Sequence, residues 1–540
     1  MTFHLDRRRL LHLGAFGAGA LVIPGVASAI SAGRGFTHNV ASGEPSQNSV
    51  LLWTRYVGNG EARLAAEIAE SEAFDKVVAG GQAVSSPDTD FTAKVKIDGL
   101  APGRWYFYRF RAPNGETSPA GRTRTLPDGP VDRFAIGLFS CSNLPFGWFN
   151  AYAHAAARND LDLIVHVGDY FYEYARGDYP SASEGIPGRI IEPRSEIIHL
   201  TDYRLRHAAY RADPDLKRLL QAFPWIAMWD DHESANDSWE GGAENHQPDK
   251  EGPWSARKAA AVRAYREWLP VSDATYEEYR IGDLATLFRP ETRLTGRTHQ
   301  LWLPGELKGK SDLKAAITAF RDGPWQDPAR TLMGMDQERQ LAEGLRRSAS
   351  AGVRWQVLAQ QVVMGPIVLP DTAADWLGAN ASNETRASTR VDILASSLGV
   401  PPNLDSWDGY PAARSRLLRF AQEASANLIV LSGDSHNAWG FDLDEGGKPA
   451  GVEFAGQSVT SPGYESDGLR AKPGDIARDL IGHNPLLKWA DLEHRGYVSV
   501  ELTPTRATGE WLLLDTIRQR STALAGQHRM NVAHGTNRLA

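Results

Sequence analysis

From about residue 36 to residue 127, apolar and polar side chains alternate with a period of two, and turn residues interrupt the alternation. This period is typical of β-strands that are buried on one face. The segments SVLLWTRY and FTAKVKIDGL are therefore predicted strands, and RWYFYRFRAPNGETSPAGRTRTL is predicted to form a strand, a turn and a second strand. The pattern predicts an all-β domain over residues 34–128.

This β domain contains the stretch LAPGRWY at residues 100–106, which resembles the tyrosine corner of immunoglobulin-like and fibronectin type III sandwiches. The resemblance favours a β-sandwich over another antiparallel β domain that carries a Pro-Gly turn. Its sequence shows no cluster of ionisable residues that indicates chemistry. We therefore interpret it as an accessory domain.

From residue 133 onward, short apolar runs alternate with segments of helical periodicity, which is the signature of a layered α/β structure. The predicted buried strands are DRFAIGLF, DLIVHV, PWIAMW, RWQVLAQQVV and NLIVLS. The predicted helices are FGWFNAYAHAAARND, TDYRLRHAAYRADPDLKRLLQAF, PWSARKAAAVRAYREWL, DQERQLAEGLRRSAS and SRLLRFAQEASA. We expect one large α/β domain over residues 132–518.

Two segments of the α/β half lack a clear pattern. Residues 369–411 are mostly polar, with frequent Gly, Pro, Asn and Ser, and are predicted to form a long functional loop or insertion. Residues 519–540 are polar and weakly patterned. They are predicted to be a C-terminal tail, either a surface helix or a disordered segment.

Residues 1–29 predict export. They combine a basic start, a short glycine-broken apolar run and an A-x-A site at Ala27–Ala29, as in a cleaved signal peptide, and are too short for a membrane span. Arg7 and Arg8, followed by an apolar pair, resemble the signal read by the twin-arginine (Tat) export machinery, with an ordinary basic signal region as the alternative. We expect a periplasmic or secreted protein.

Composition and net charge give no sign of nucleic-acid binding or of a membrane-spanning segment. The 540 residues are 42% hydrophobic and carry a formal net charge of −8, which is no indication of a nucleic-acid-binding surface. No other long apolar run predicts a stable membrane span. Cys141 is the only cysteine, so it cannot form an internal disulfide, and a free thiol is a liability outside the cytoplasm.

The candidate chemistry lies where predicted strands end. Four strands are followed by polar groups, namely Cys141–Asn143, Asp169–Tyr172, Asp230–Glu233 and Asp434–His436. In open α/β sheets, ligands bind at the carboxyl ends of the strands because these ends share one crevice. If the strands share a sheet, these side chains converge.

Each of these residues alone has an ordinary explanation. A single buried Cys usually behaves as a small hydrophobe, and Gly-Asp after a strand is usually a turn. Together, however, several carboxylates at one sheet edge would repel each other and have raised pKa values unless positive charge neutralises them. A metal cluster supplies that charge directly.

The donor types indicate which metals fit. Thiolate, phenolate, imidazole and carboxylate form a donor set suited to a transition metal, and phenolate favours Fe³⁺. Carboxylates with little nitrogen suit Ca²⁺, Mg²⁺ or Mn²⁺. We expect an asymmetric cluster with iron on the Cys/Tyr/His side, an oxygen-loving divalent ion beside it, and Asp169 as the bridge.

Five motifs carry a family resemblance across nearly the whole chain after the signal peptide. SCSN, HVGDYFYEY, WDDHE, WDGYPAAR and SGDSHNAW, in this order, resemble the alkaline phosphatase D (PhoD) family of calcineurin-like metallophosphoesterases. ASGEPSQNSVLLWTR near the start is similar to the amino-terminal β domain of that family. The resemblance implies a four-layer αββα core, hydrolysis of phosphate esters, and an Fe³⁺–Ca²⁺ site.

The resemblance also implies roles for individual residues. Cys141, Asp169, Tyr172 and His436 are similar to the iron ligands, and Asp231 and Asp434 to calcium-side ligands that share the bridging Asp169. His232 stands where the superfamily has a histidine that faces the phosphoryl group, and is the expected catalytic residue. Asn236 is a candidate contact to calcium or substrate phosphate.

The expected reaction is hydrolysis of phosphate mono- and diesters of small molecules by metal-activated hydroxide, with His232 stabilising charge or protonating the leaving oxygen. Two alternatives stay open. One is a phospholipase D-like phosphodiesterase acting on lipids, with residues 369–411 shaping the choice. The other is a non-catalytic, calcium-dependent surface binding protein, which the intact ligand set disfavours.

Overall fold

The computed structural model describes residues 33–466 and 468–540. The predicted signal peptide, residues 1–29, lies outside the described residues. Within the described part of the chain, no helix is both long and apolar enough to cross a membrane.

The strands build three sheets. Their bounds are β1 Gly35–Gly43, β2 Val50–Val57, β3 Ala62–Ala69, β4 Val77–Ser85, β5 Thr92–Ile97, β6 Trp105–Arg111, β7 Gly121–Arg124, β8 Phe134–Phe139, β9 Leu163–His166, β10 Pro224–Ala227, β11 Glu277–Ile281, β12 Ala285–Arg289, β13 Trp355–Ala359, β14 Leu428–Ser432, β15 Ala438–Glu445, β16 Lys448–Ala455, β17 Leu487–Asp491, β18 Gly496–Leu502, β19 Arg506–Leu514 and β20 Leu524–Ala533.

The larger sheet has nine strands in the order β20-β19-β18-β8-β9-β10-β1-β2-β5, and a second sheet has seven strands in the order β11-β12-β13-β14-β16-β15-β17. The third sheet has four strands in the order β4-β3-β6-β7. The predicted strands are all confirmed, including the period-two strands of the amino-terminal segment.

Most of the α-helices pack on the outer faces of the two large sheets, and three others pack with one another in a separate apolar cluster. Their bounds are α1 Asn150–Ala156, α2 Leu200–Arg211, α3 Pro214–Ala222, α4 Pro248–Glu251, α5 Trp254–Trp268, α6 Leu303–Leu307, α7 Leu313–Asp322, α8 Met335–Ser350, α9 Asn383–Ser397, α10 Pro411–Glu423 and α11 Pro473–His483. The predicted segment 201–223 contains two helices, because Pro214 begins α3 with Asp213 as its cap.

The core has the four-layer αββα order. One apolar cluster lies between the two large sheets and includes Ile136, Val165, Val357 and Ile429. A second cluster packs helices α1, α2, α3 and α5 against the larger sheet, and a third packs α8, α10 and α11 against the smaller one. Strands β8, β9 and β10 run parallel, as do β12, β13 and β14, so their carboxyl ends lie along shared edges.

The amino-terminal β segment is joined to this core through main-chain hydrogen bonding. Strand β1 pairs in parallel with β10, with Ser42 opposite Pro224. Strands β1, β2 and β5 thereby extend the larger sheet, while β3, β4, β6 and β7 form the sheet that packs on them. The tyrosine corner is confirmed, because the Ala101 N–H donates to the Tyr106 hydroxyl over 3.0 Å.

Two expectations for the α/β half need correction. Residues 369–411 are not one long loop, since they contain a 3-10 turn at Asp371–Trp376 and helix α9. Residues 519–540 form neither a surface helix nor a disordered tail. Their strand β20 pairs antiparallel with β19 at the edge of the larger sheet, with Trp511 opposite His528, and only Val532 of this strand is buried.

Candidate metal centre

The polar groups at the strand ends sit on unusually tight turns. Cys141, Asp169, Asp434 and His436 have φ values of 59°, 54°, 61° and 62°, a region that non-glycine residues rarely adopt. Such strain clusters at functional sites. Gly168, with φ of 108°, lets two turns meet, because a Cβ there would lie 2.4 Å from the Cβ of Asp230.

Glu233 holds two of these turns together. Its carboxylate accepts hydrogen bonds from the backbone N–H groups of Asp169, Tyr170 and Asp230 over 3.1, 2.5 and 2.8 Å. The turn after β9 and the turn after β10 therefore have a fixed relative position. With the two turns held by Glu233 in this way, the side chains of Asp169 and Asp231 face the same space.

The sulfur, phenol and imidazole donors meet on one side of the site. Cys141, Asp169 and His436 are buried, and each offers a ligand atom within 4.8 Å of the others. The Tyr172 hydroxyl lies 3.2 Å from Asp169 Oδ2 and 3.1 Å from His436 Nε2. His436 Nδ1 lies 2.7 Å from the carbonyl oxygen of Pro462, an arrangement in which Nε2 is the nitrogen that could coordinate a metal.

Carboxylates meet on the other side. Asp230, Asp231 and Asp434 each offer an oxygen within 4.8 Å of the others, and Asp169, Asp231 and His232 form a further such group. Asp169 belongs to the groups on both sides, as expected of a bridge. The structure therefore brings together Cys141, Asp169, Tyr172, Asp231, His232, Asp434 and His436, as the sequence predicted.

These residues fit a cluster of cations. Asp169 Oδ1, Asp231 Oδ1 and Asp230 Oδ2 are buried and accept no hydrogen bond from the described residues. Burial raises the pKa of Asp169 well above its usual value, and neighbouring carboxylates add to the effect. Burial likewise raises the pKa of the Cys141 thiol. Bound cations would offset both costs and keep these groups ionised.

His232 is fixed from two directions. Its Nδ1 lies 2.7 Å from Glu173 Oε2, and its ring lies over Tyr172 with 4.2 Å between centroids. Burial alone would lower the pKa of His232, but Asp231, Asp169 and Glu173 outweigh it and raise the pKa to about 10. A protonated imidazole at this position can donate a proton or stabilise anionic charge.

Arg293 lies among the carboxylates of the site, and it was not among the site residues predicted from the sequence. Its guanidinium is completely buried and contacts Asp230 through Nε, Asp405 through Nη1 over 2.8 Å, and Asp434 through Nη2 over 3.5 Å. Arg293 follows β12 and Asp405 lies in the segment predicted to be a loop. Strand β12 was not among the predicted strands and Asp405 lies outside the five motifs, so reasoning from predicted strand ends did not reach either residue.

Asn236 stands apart from the ligand groups. Its backbone N–H donates to Glu173 over 2.8 Å, and its side-chain amide donates to Glu244 over 3.4 Å. Asn236 therefore reaches the site through the carboxylate that holds His232. Glu173 was also missed, although it stands within the motif GDYFYEY that supplied Asp169 and Tyr172.

The four-layer core carries ionisable groups at its strand ends, and the matches to known proteins identify this architecture as a hydrolase of phosphate esters. The chain belongs to the PhoD-like phosphatase family, whose model matches residues 134–511, and the family's N-terminal domain model matches residues 24–127. It is 33% identical to alkaline phosphatase D of Bacillus subtilis (strain 168) over 91% of this chain and 79% of that protein. A solved structure of PhoD has 30% sequence identity and a TM-score of 0.76, with 94% of this chain and 92% of that chain covered.

Proposed function

We propose that this phosphoesterase depends on a mixed metal cluster and is exported. The observation that carries the proposal is the convergence of thiol, phenol, imidazole and carboxylate donors on one buried space bridged by Asp169. Such a donor set combines a half suited to Fe³⁺ with a half suited to Ca²⁺.

The iron side would be held by Cys141, Asp169, Tyr172 and His436. The calcium side would be held by Asp231 and Asp434 together with the bridging Asp169. Arg293 forms ion pairs with Asp230, Asp405 and Asp434 and so neutralises carboxylates on the calcium side. Its guanidinium is not a metal ligand, because it is a cation that has hydrogen-bond donors only. The Cys141 thiol has its function here as a deprotonated ligand rather than as a core side chain.

The cluster would acidify a water molecule and neutralise phosphate oxygens. This chain's own residues supply the rest of the chemistry. Glu173 orients His232 through Nδ1, which leaves Nε2 to donate a proton to the leaving oxygen or to stabilise charge on the phosphoryl group. Glu173 is itself held by the Asn236 N–H and the Asn245 side chain, each over 2.8 Å.

The proposed substrates are phosphate mono- and diesters of small molecules. A lipid phosphodiesterase of the phospholipase D-like type is the alternative within the same chemistry. Asp405 connects the 369–411 segment to the site through Arg293, so this segment is placed to influence the choice. The ratio of turnover on a chromogenic monoester to turnover on a chromogenic diester and a phospholipid separates the two.

One experiment tests the metal proposal. The enzyme is purified without added metals, its iron and calcium are quantified, and hydrolysis of a chromogenic phosphate ester is measured on the same sample. We expect iron and calcium together, with activity proportional to their occupancy. Full activity in a sample free of both metals would contradict the proposal.

Export through the twin-arginine route is tested separately. Replacing Arg7 and Arg8 together by lysine should retain the full-length precursor in the cytoplasm, because the paired guanidinium groups define that signal. Cell fractionation with an activity assay gives the readout. Unchanged export of the double variant would indicate an ordinary signal peptide.

A further inference from the structure

The segment 458–463, which comes after strand β16, lies against the sulfur, phenol and imidazole side of the site. Thr460 and Ser461 are completely buried, and their backbone N–H groups both donate to the Cys141 carbonyl oxygen over 3.3 Å. Further along the segment, the Pro462 carbonyl oxygen lies 2.7 Å from His436 Nδ1. The segment thus contacts two of the proposed iron ligands through its main chain.

Arg495 holds this segment next to His436. Its Nη1 donates to the Ser461 carbonyl oxygen over 2.9 Å and also to the carbonyl oxygen of His436. Its Nη2 pairs with Glu465 over 2.8 Å. Because one guanidinium bonds both stretches of main chain, the fold itself sets the position of Ser461 relative to His436.

The Ser461 side chain contacts a third proposed iron ligand. Its Oγ lies 2.6 Å from the Tyr172 hydroxyl oxygen and 3.0 Å from the Cys141 carbonyl oxygen. The Tyr172 oxygen also lies 3.2 Å from Asp169 Oδ2 and 3.1 Å from His436 Nε2. An ionised carboxylate and a metal-binding imidazole nitrogen have no proton to donate. Of these three neighbours, Ser461 is therefore the one that can donate a hydrogen bond to Tyr172 as a phenolate.

A serine hydroxyl has one proton, so its two acceptors compete for that proton. Hydrogen bonds from a hydroxyl to an anionic oxygen are about 2.5–2.7 Å long, shorter than those between neutral oxygen atoms. The 2.6 Å contact with Tyr172 falls in this charge-assisted range, whereas the 3.0 Å contact with Cys141 does not. The Cys141 carbonyl oxygen also has its two backbone donors. The geometry therefore favours the Tyr172 oxygen as the acceptor.

We propose that Ser461 is a positioning residue that tunes the iron side of the site by donating a hydrogen bond to the Tyr172 phenolate. This inference rests on the proposed role of Tyr172 as an iron ligand. A hydrogen bond withdraws electron density from the phenolate oxygen and so weakens its donation to Fe³⁺. Hydrogen bonds to anionic ligands also raise the reduction potential of iron, because they stabilise the more electron-rich reduced state. Ser461 thereby makes Fe³⁺ a stronger Lewis acid than the four ligands alone would.

The variant Ser461→Ala tests the proposal, because it removes the donor and leaves all four proposed iron ligands in place. Its iron content should equal that of the parent. The visible absorption band expected of phenolate bound to Fe³⁺ should move to longer wavelength, and the midpoint reduction potential should become more negative. Resonance Raman spectra excited in this band should show displaced tyrosinate modes. An unmoved band with unmoved tyrosinate modes in iron-replete Ser461→Ala would overturn the proposal.

The matched control is Thr460→Val. Thr460 is the preceding residue and is equally buried, but its hydroxyl donates to the Asn143 carbonyl oxygen over 2.7 Å and not to a proposed ligand. Valine has nearly the same shape and lacks the hydroxyl. Thr460→Val should keep the absorption band, the potential and the tyrosinate modes of the parent. Equal displacements in both variants would show that the segment as a whole sets the band, and would overturn the role of the Ser461 hydroxyl.

The parent enzyme separates failure of this inference from failure of the metal proposal. Tyrosinate modes in its resonance Raman spectrum would establish bonding between iron and Tyr172 without reference to Ser461. A parent that contains iron but shows no tyrosinate modes would contradict the role of Tyr172 as a ligand, and this inference with it. Tyrosinate modes that are present in the parent and identical in Ser461→Ala would contradict the hydrogen bond alone.

Discussion

Glu173 Oε2 lies 2.7 Å from His232 Nδ1, and both side chains are buried. The carboxylate fixes the orientation of the imidazole ring and leaves Nε2 as the nitrogen that can face a substrate. Glu173 is held in turn by donors from two different residues, Asn236 and Asn245. One of the two contacts that fix His232 thus runs through Glu173, Asn236 and Asn245, which lie outside the proposed iron and calcium ligand sets.

Replacing His232 by alanine should lower kcat about 10²-fold or more, because general-acid and charge-stabilising groups contribute at this level. Iron and calcium contents should remain those of the parent. Asp231→Ala is the contrasting variant and should lose the divalent metal. Elemental analysis and steady-state kinetics on both proteins check the expectation. Loss of iron from His232→Ala at unchanged turnover per metal would reverse the two roles.

Replacing Glu173 by glutamine should shift the alkaline limb of the kcat/KM profile to lower pH. Glu173 is one of three carboxylates that raise the pKa of His232 to about 10, so its removal lowers that pKa. The protonated, proton-donating form is then lost at a lower pH. Glu196→Gln, which removes a carboxylate paired with Arg257, is the control and should leave the limb in place. An unmoved limb in Glu173→Gln would separate His232 from proton transfer.

Replacing Arg293 by methionine should destabilise the metal-free protein by about 3–5 kcal/mol, because buried carboxylates lose their cation. The loss should be smaller in the metal-loaded protein, since bound cations share the neutralisation of Asp231 and Asp434. Denaturant unfolding with and without metals measures the difference. Arg257→Met, which unpairs Glu196 and Glu251 instead, should show no such metal-dependent rescue. Equal losses with and without metals would show that Arg293 acts independently of the cluster.

The purified enzyme should be coloured, because thiolate and phenolate donate charge to Fe³⁺ on absorbing visible light. Tyr172→Phe should shift or weaken the absorption band, and Cys141→Ala should lose most of the iron and the activity. Tyr410→Phe is the control, since the Tyr410 hydroxyl donates to the Thr298 carbonyl oxygen over 2.6 Å and not to a proposed ligand. A colourless, iron-free and fully active enzyme would leave Cys141 as a core residue.

A calcium-selective chelator should abolish turnover, and added calcium should restore it. The carboxylate side offers oxygen ligands and lacks the nitrogen and sulfur donors that hold zinc tightly. Iron content and the visible band should survive the treatment, because Cys141, Tyr172 and His436 remain bound to that metal. Full activity in the continued presence of the chelator would exclude an essential calcium ion.

The convergence of the site could be predicted because it follows from the ends of parallel strands. Cys141, Asp169 and Asp231 each follow an apolar run, and β8, β9 and β10 are adjacent and parallel. The condition of one shared sheet does not hold for Asp434 and His436, because they follow β14, which belongs to the second large sheet. They reach the site because the two large sheets pack on each other. Knowing that these residues follow strands was enough to predict that they converge, and the exact pairing register of the strands was not needed.

The charge balance around the site could not be predicted. Arg293 and Asp405 are separated by 112 residues, and they meet through packing between elements that have no shared local pattern. Strand β20 was missed for a related reason. Its residues pair at an edge and bury little apolar surface, so their sequence lacks the clear hydrophobic period of a strand that is buried on one face.

The parallel pairing of β1 with β10 means that the amino-terminal strands cannot be cut away to give a smaller enzyme. Without residues 33–128, β10 would become a bare edge with unpaired N–H and C=O groups beside Trp225, a ready template for another chain. The truncated protein should aggregate instead of working as a minimal hydrolase. The amino-terminal strands thus protect the edge of β10, the strand that leads into the turn with Asp230 and Asp231.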